Sequence, residues 1–236
     1  MSEPKNYYVK HKRRILWELD LVAKSARPVM DEYFDEPADI VLTEARRDFE
    51  GLLPQLPYVG GKQPFTEFIV FSGMFLAMYR VSMARGKTIE QSGEIIFKSG
   101  EAFLKLFPTF LLRLLIPVNF SRRYIDRIRK GAVESHARRY PDGNVLNFVE
   151  GDGKNFDYGV DYLECASCKF FAKQGASEIA PYLCPVDILY SEALGWGLTR
   201  TMTLAEGADK CDFRFKKGGR TNVAVPEALR EVVVSK

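Results

Sequence analysis

The hydrophobic pattern of this chain changes type at Pro141-Asp142-Gly143, and this change constrains the fold more than any other feature. Before it, apolar residues recur three or four positions apart, which is typical of helices that bury one face. After it, apolar and polar residues alternate, as they do in half-buried strands. The sequence therefore predicts an α+β fold: a helical N-terminal part packed on a small antiparallel sheet of about four strands, with two short helices.

Three parts follow from this boundary. They are a helical part at 1–143, a cysteine-bearing α+β region at 144–217, and a tail at 218–236 that is first polar and then valine-rich. No structureless linker separates them, and 236 residues with 46% hydrophobic content can bury a sizeable core. We therefore expect one cooperative unit.

Helix boundaries in the first part are set by proline, glycine and capping residues. The first helix is predicted over Tyr7 to Ala26, with Pro28 as its stop signal. The central helix, Phe65 to Arg85, is apolar on nearly all sides and should be buried. Thr88 with Gln91 has the spacing of a capping box. The other predicted helices are Ala38 to Leu53, Thr88 to Leu106, a short piece between Pro108 and Pro117, and Ser121 to Arg139.

The second part is predicted to contain two strand pairs and two short helices. The first pair surrounds the turn residues Gly151 to Asn155, so a hairpin is expected. The strands are Asn144 to Glu150, Phe156 to Leu163, Leu198 to Ala205 and Lys210 to Lys216, and the helices are Glu164 to Gln174 and Pro185 to Leu194.

Composition and charge exclude several classes of protein. A net charge of +3, with basic and acidic residues interspersed, does not indicate a nucleic-acid partner. The best candidate for a transmembrane segment, Phe65 to Met83, carries Glu67 and Arg80 and is better explained as a buried helix. The apolar stretch Phe103 to Phe120 is interrupted by charges and prolines, which favours a core or interface, with a position on a membrane surface as the alternative.

The first six residues, Met1 to Asn6, are polar and do not form a secretory signal. We therefore expect a cytoplasmic protein whose cysteines stay reduced. Its expected partner is a small-molecule substrate, and the sequence leaves the oligomeric state open.

The four cysteines are the strongest local signal. All of them lie within 47 residues: Cys165, Cys168, Cys184 and Cys211. Cys165 and Cys168, three positions apart, are predicted to share a helix face. Cys184 precedes Pro185, which places it at or next to a helix N-cap, where the helix dipole favours a thiolate. Asp187 falls in the first turn of the same helix.

Two chemical interpretations compete with a structural one. Cys184 can be a nucleophile, or a thiol that stabilises an anion, with Asp187 as a nearby acid or base. Alternatively, three or four of the sulfurs from Cys165, Cys168, Cys184 and Cys211 bind zinc. The single Cys-x-x-Cys spacing makes the zinc signal weak. In the structural interpretation, the cysteines simply fill a core between helix and sheet.

Arg200 lies on the apolar face of a predicted strand and needs an anionic partner. That partner is either a substrate carboxylate, bound through two hydrogen bonds, or a protein carboxylate such as Asp187 or Glu192. The opposite face carries threonines, including Thr203, whose hydroxyls are candidates for ligand binding, although threonine is also frequent on strands. On the last strand, Cys211, Phe213 and Phe215 are predicted to share one face, with Arg214 on the other.

The order of these motifs resembles the L-2-amino-thiazoline-4-carboxylic acid hydrolase family over about 75 residues. The matching motifs are Glu164-Cys165-Ala-Ser-Cys168, Cys184-Pro-Val-Asp187, Arg200-Thr-Met-Thr203-Leu-Ala-Glu-Gly207 and Cys211-Asp-Phe-Arg214. The resemblance implies hydrolysis of a small cyclic amidine-thioether at its C2 carbon to give N-carbamoyl-cysteine.

For such a reaction we expect Cys184, or a water activated by Asp187, to attack C2. Arg200 or Arg214 would hold the substrate carboxylate, with Thr203 as a further substrate-binding residue. A more distant resemblance, to vinyl-reductase-type small-ligand-binding domains, supports an alternative function: a sensory or accessory module that binds a small molecule or zinc without turnover.

Overall fold

The structure is a computed structural model that describes residues 7–61, 65–230 and 233. The polar N-terminal residues 1–6, the end of the predicted loop at 62–64, and nearly all of the last six residues lie outside the described part. The predictions for residues 1–6 and for the end of the tail fall on these residues.

Helices dominate the first part of the chain, as predicted. They are α1 (Tyr7–Lys10), α2 (Lys12–Tyr33), α3 (Ala38–Leu52), α4 (Phe65–Ala84), α5 (Ile89–Leu104), α6 (Thr109–Arg113), α7 (Ile116–Asn119) and α8 (Arg122–Ser135). Two predicted N-caps are confirmed. Thr88 and Gln91 form both hydrogen bonds of a capping box, and the hydroxyl of Ser121 accepts from the backbone N–H of Tyr124.

Two predicted helix ends are wrong. Helix α2 continues through Pro28 to Tyr33, because Val29 and Met30 beyond the proline are buried in the core. An internal proline costs roughly 3 kcal/mol, whereas burying two such side chains stabilises by about 1.5–3 kcal/mol each. Helix α8 ends at Ser135 rather than Arg139, since Arg138 adopts a left-handed conformation with φ of 45°.

Helix α4 forms the centre of the helical part. It is long and apolar enough to cross a bilayer by those two criteria alone, yet 61% of its apolar window is buried inside the protein. Ile69 and Leu76 of this helix belong to the largest core cluster, which also includes Phe171 from the second part of the chain. The shared core joins the two parts, and the single cooperative unit stays a prediction.

The sheet has five strands rather than about four, and it is mixed rather than antiparallel. The strands are β1 (Val145–Glu150), β2 (Tyr158–Glu164), β3 (Leu198–Arg200), β4 (Cys211–Phe215) and β5 (Asn222–Val223), in the order β1-β2-β4-β3-β5. Strand β5 pairs in parallel with β3, and the other pairs are antiparallel. The additional strand comes from the tail, whose polar residues gave no alternating pattern.

Strand β3 is also shorter than predicted. After Arg200 the chain turns away, because the carboxylate of Asp212 accepts hydrogen bonds from the backbone N–H groups of Thr201 and Met202, at 2.8 and 2.9 Å. Local side-chain bonds of this kind replace the ladder of a sheet.

Three further helices connect the strands: α9 (Ala166–Lys173), α10 (Ala180–Leu183) and α11 (Val186–Leu194). Residues of β2 and β4 with their side chains on one face, including Val160 and Phe213, pack against Ile128 and Ala132 of α8. The opposite face is polar and carries an ion pair between Asp161 and Arg214. The apolar face of the sheet therefore points toward the helices, and the space between them is where a site can form.

We predict that Thr88→Ala lowers the free energy of unfolding by about 1 kcal/mol, because the first turn of α5 loses one bond of its capping box. Urea denaturation followed by circular dichroism measures the change. Thr43→Ala, the same substitution at an exposed position inside α3, is the matched control and should not destabilise. Equal stability of the Thr88 variant and wild type would contradict the prediction.

Candidate functional site

A cavity of about 290 Å³ lies between the helices and the apolar face of the sheet. All four cysteines line it, together with Asp187 and Arg200: Cys165 precedes α9, Cys168 lies in α9, Cys184 lies between α10 and α11, and Cys211 begins β4. The structure thus brings together side chains that are separated by up to 46 positions in sequence.

Most of the cavity wall is apolar. Helices of the first part contribute Leu19, Val22, Leu42, Phe71, Met74, Met78, Ile96 and Phe103, and the sheet contributes Tyr158, Val160, Phe213 and Phe215. Few charged or thiol groups interrupt this surface. In such surroundings charges interact more strongly than in water, and each polar group has a large influence on a bound molecule.

Cys165 is the thiol best suited to ionise. It occupies the N-cap position of α9, where the backbone amides of Ser167 and Cys168 face an anion. The thiol of Cys168 and these amides lower the pKa of Cys165 to about 7, although burial opposes the change.

Cys184 is next to an N-cap, as predicted, but its thiol is not stabilised as an anion. Pro185 is the N-cap residue of α11, and the Cys184 thiol donates back to the carbonyl of Ala180 at 3.7 Å. Burial is the largest influence and raises the pKa of Cys184 well above its ordinary value. A buried thiol with such a partner is neutral at physiological pH.

The remaining two thiols are also held in the neutral form. The interaction with Cys165 raises the pKa of Cys168, so the two cysteines share one negative charge. Burial raises the pKa of Cys211 to about 11, although the backbone N–H of Leu204 donates to its sulfur at 3.2 Å. Among the four thiols, Cys165 is therefore the one that ionises first as the pH rises.

Arg200 and Asp187 form an ion pair at the polar corner of the cavity. The Arg200 side chain is 1% exposed and its Nη1 donates to Asp187 Oδ2 at 2.5 Å. Its Nη2 donates to the carbonyl of Cys184 at 3.2 Å. Arg200 Nε is buried without a hydrogen-bond partner among the described residues. A buried donor without a partner is unusual in a folded protein.

The environment of Asp187 acts on its carboxyl group in two opposing ways. Burial raises the pKa of this carboxyl, and Arg200 opposes the rise both by its charge and by its hydrogen bond. An aspartate with a raised pKa can exchange a proton with a bound molecule more readily than an ordinary one. The structure therefore supplies an acid–base group next to a cation in the same cavity.

Two predicted substrate-binding residues lie outside the cavity. The hydroxyl of Thr203 donates to Glu206 Oε2 at 2.8 Å and caps a short turn. Arg214 lies on the polar face of the sheet, where it donates to Asp161 at 2.7 Å. The predicted faces of β4 are confirmed, since Cys211 and its alternate neighbours line the cavity, and this arrangement places Arg214 on the far side.

Two other polar side chains in the cavity were not singled out from the sequence. Tyr162 of β2 is close enough to Cys165, Asp187 and Cys211 that their charges, added to burial, raise its pKa well above the ordinary value. Ser167 in the first turn of α9 forms a 2.7 Å hydrogen bond with Ser72 of α4. The alternation of β2 placed Tyr162 on the same face as Val160, but nothing in the sequence indicated that this face was opposite the cysteines.

The sulfurs do not form a metal site. Among residues 7–61, 65–230 and 233, no three histidine, cysteine, aspartate or glutamate side chains lie close enough together to hold an ion. Zinc requires four ligands at about 2.0–2.3 Å in structural sites. The zinc interpretation, based on Cys165, Cys168, Cys184 and Cys211, therefore has no support in the described geometry.

Comparison with known proteins identifies a family whose sequence model matches this chain. The sequence model of the L-2-amino-thiazoline-4-carboxylic acid hydrolase family matches residues 68–215, which include every cysteine and the Asp187–Arg200 pair. No curated protein and no solved structure matches.

We predict that Cys165 is the first thiol to be alkylated at pH 7, because it alone has a lowered pKa among the four. Brief treatment with iodoacetamide between pH 6 and 9, followed by tandem mass spectrometry, separates Cys165 from Cys168 within one peptide. The labelling rate of Cys165 should rise as the pH increases through 7. The denatured protein, in which all four thiols react alike, is the control. Preferential labelling of Cys184 would contradict the assignment.

Proposed function

The chain belongs to the L-2-amino-thiazoline-4-carboxylic acid hydrolase family, and on this basis we propose that it opens a small cyclic amidine-type ring by attack at C2, giving an N-carbamoyl-cysteine-type product. One observation carries the proposal: a thiolate-forming cysteine, an aspartate of raised pKa and an arginine with an unused N–H line the same cavity. Ring opening needs a nucleophile, a proton carrier and an anchor for the carboxylate.

The first half of the proposed reaction forms a covalent intermediate on Cys165. Its thiolate adds to C2 of the ring, and the bond between C2 and the ring sulfur then breaks. The ring sulfur leaves as a thiolate and takes the proton held by Asp187. The result is an S-linked isothiourea on Cys165, with the carbon–nitrogen double bond of the amidine retained.

Water completes the reaction in the second half. It adds to the same carbon, giving one proton to Asp187 and the other to the former ring nitrogen. The carbonyl of the carbamoyl group forms, and the bond between C2 and Cys165 breaks. Asp187 is again protonated and Cys165 is again a thiolate, so one water is consumed in each cycle. The neutral phenol of Tyr162 is suited to donate a hydrogen bond to the tetrahedral intermediates.

Arg200 is proposed to anchor the substrate carboxylate through Nε, since its other two nitrogens already bond Asp187 and the carbonyl of Cys184. Nucleophilic attack by Cys184 stays a prediction as well, but its neutral thiol makes it the weaker candidate. Thr203 and Arg214 have no part in the proposed mechanism, because neither lines the cavity.

A second function is favoured by the apolar wall of the cavity. A module that binds an apolar small molecule without turnover needs that wall but no thiolate. The fate of the ligand distinguishes the two functions. A binding module releases its ligand chemically unchanged, whereas the hydrolase releases a product with a new thiol.

We predict that Cys165→Ser lowers kcat for 2-amino-thiazoline-4-carboxylate by about a thousandfold or more with the fold intact, because the nucleophile is lost. Release of the product thiol, detected with a chromogenic disulfide, measures the rate. Circular dichroism checks the fold. Wild-type rates in this variant would remove Cys165 from the mechanism, and full loss in Cys184→Ala alone would assign attack to Cys184.

The pH profile gives an independent check of the same assignment. A pKa of about 7 means that the thiolate forms as pH rises through 7, so kcat/KM should increase across that range and fall below it. Cys168→Ala removes the thiol that stabilises this anion, and the rising limb should move to higher pH. A rising limb that is unaffected by the substitution would show that another group titrates.

We predict that Arg200→Lys raises KM about tenfold or more, because one charge-assisted hydrogen bond to the substrate carboxylate is lost. The test compares the substrate with 2-amino-thiazoline, which lacks the carboxylate. For this analogue wild type and variant should have the same KM. Equal effects of the substitution on both molecules would show that Arg200 only maintains the fold and does not bind the carboxylate.

A further inference from the structure

The segment that joins α5 to α8 exposes an unusual amount of apolar surface. The large hydrophobic residues that it leaves in contact with solvent are Leu106, Phe107, Phe110, Leu111, Leu114, Leu115 and Val118. Phe110 and Leu114 are each 68% exposed. Isolated exposed apolar residues are ordinary, but a contiguous set of this size marks a surface that binds something apolar.

Charge around this apolar segment, which we define as residues 106–118, is positive. Residues 105–130 contain seven basic residues and one acidic residue. Three of the basic residues, Lys105, Arg129 and Lys130, form ion pairs with glutamates outside this range, and with those three glutamates included the region still carries a net charge of +3. Arg122 has 98% of its side chain exposed, and Arg113, Arg123 and Arg127 are exposed as well.

We propose that the apolar segment lies on the surface of an anionic phospholipid membrane. Its short helices, α6 and α7, would insert Phe110 and Leu114 among the acyl chains near the headgroups, and the surrounding arginines would contact lipid phosphates. Neither helix is long enough to span a bilayer, since they contain five and four residues. The protein would therefore lie on the membrane without crossing it.

Charge complementarity favours lipid over a second copy of this chain. A symmetric dimer formed through this face would bring two copies of this positively charged region together, and like charges across an interface oppose association. An anionic membrane supplies both an apolar interior and negative charge, which match the two properties of the segment.

The position of the segment connects this surface to the cavity. Phe103, which lines the cavity, stacks edge-on against Phe107 with ring centroids 5.3 Å apart. Ile116 of α7 packs so closely on Gly195, the residue that ends α11, that a Cβ there would lie 2.5 Å from its side chain. The membrane-facing surface and the helix that carries Asp187 are therefore in direct contact, so an apolar molecule from the bilayer would arrive beside the cavity.

Vesicle flotation of the full chain tests the proposal. The probes are vesicles of phosphatidylcholine alone and vesicles with about a third phosphatidylserine. We expect binding to the anionic vesicles, much weaker binding to the neutral ones, and loss of most binding in 0.5 M NaCl. The double variant Arg122→Glu/Arg123→Glu should bind about tenfold or more weakly, because each basic residue near an anionic surface contributes roughly fivefold.

Substitutions on the apolar face separate lipid insertion from a purely electrostatic contact. Phe110→Ser/Leu114→Ser should lower binding to anionic vesicles at least tenfold, while Trp17→Ser, which removes a side chain that is 64% exposed on α2, should not. Circular dichroism of each variant checks that the fold is retained. No binding of the wild type to anionic vesicles would overturn the proposal.

A dimer of the wild type in analytical ultracentrifugation, dissociated by Phe110→Ser/Leu114→Ser and without affinity for vesicles, would overturn it in favour of a second copy. The test is independent of the hydrolytic reaction, since vesicle binding needs no turnover.

Discussion

The buried ion pair between Arg200 and Asp187 is the interaction on which the site depends. Arg200 comes from strand β3 and Asp187 from helix α11, and the same guanidinium also bonds the carbonyl of Cys184 at the α10–α11 junction. The guanidinium carbon of Arg200 lies 5.2 Å from the ring centre of Phe213 on β4. Removal of one partner of a buried pair costs about 3–5 kcal/mol, because the other charge is left without compensation. The pair therefore fixes the sheet against the helices that carry the reactive groups, and it does so with one donor of Arg200 left unused.

The sequence predicts the local elements well and their assembly only in part. Capping residues such as Thr88 and Ser121 mark helix starts because their bonds are local. Pro28 wrongly predicts the end of helix α2, because the burial of Val29 and Met30 after it outweighs the cost of a proline inside the helix. The thiolate was expected at Cys184, because proline follows it. Which residue caps a helix depends on the backbone conformation, however. Cys165 is extended before α9 and is its N-cap, whereas Cys184 has a helical conformation. The Arg200–Asp187 pair was one of two alternatives, and only the packing of β3 on α11 decides it.

The structure joins two kinds of surface, a cavity with a polar corner and an exposed apolar segment. A few polar groups occupy one corner of a cavity whose walls are otherwise apolar, and an exposed apolar segment with a basic surround packs against the helix that bears Asp187. In the proposed account, Cys165, Asp187 and Arg200 at the polar corner of the cavity perform ring opening. The apolar wall contacts the apolar parts of the substrate. The exposed segment then determines where in the cell the protein meets that substrate.

The central claim is that the Cys165 thiolate attacks the ring carbon and becomes covalently attached to it. Acid quenching of the enzyme during turnover of 2-amino-thiazoline-4-carboxylate, followed by intact-mass and peptide analysis, tests this claim directly. The account predicts an adduct with the full mass of the substrate on Cys165, absent from unreacted enzyme. Product formation without any adduct under single-turnover conditions, or an adduct on a different cysteine, would contradict it.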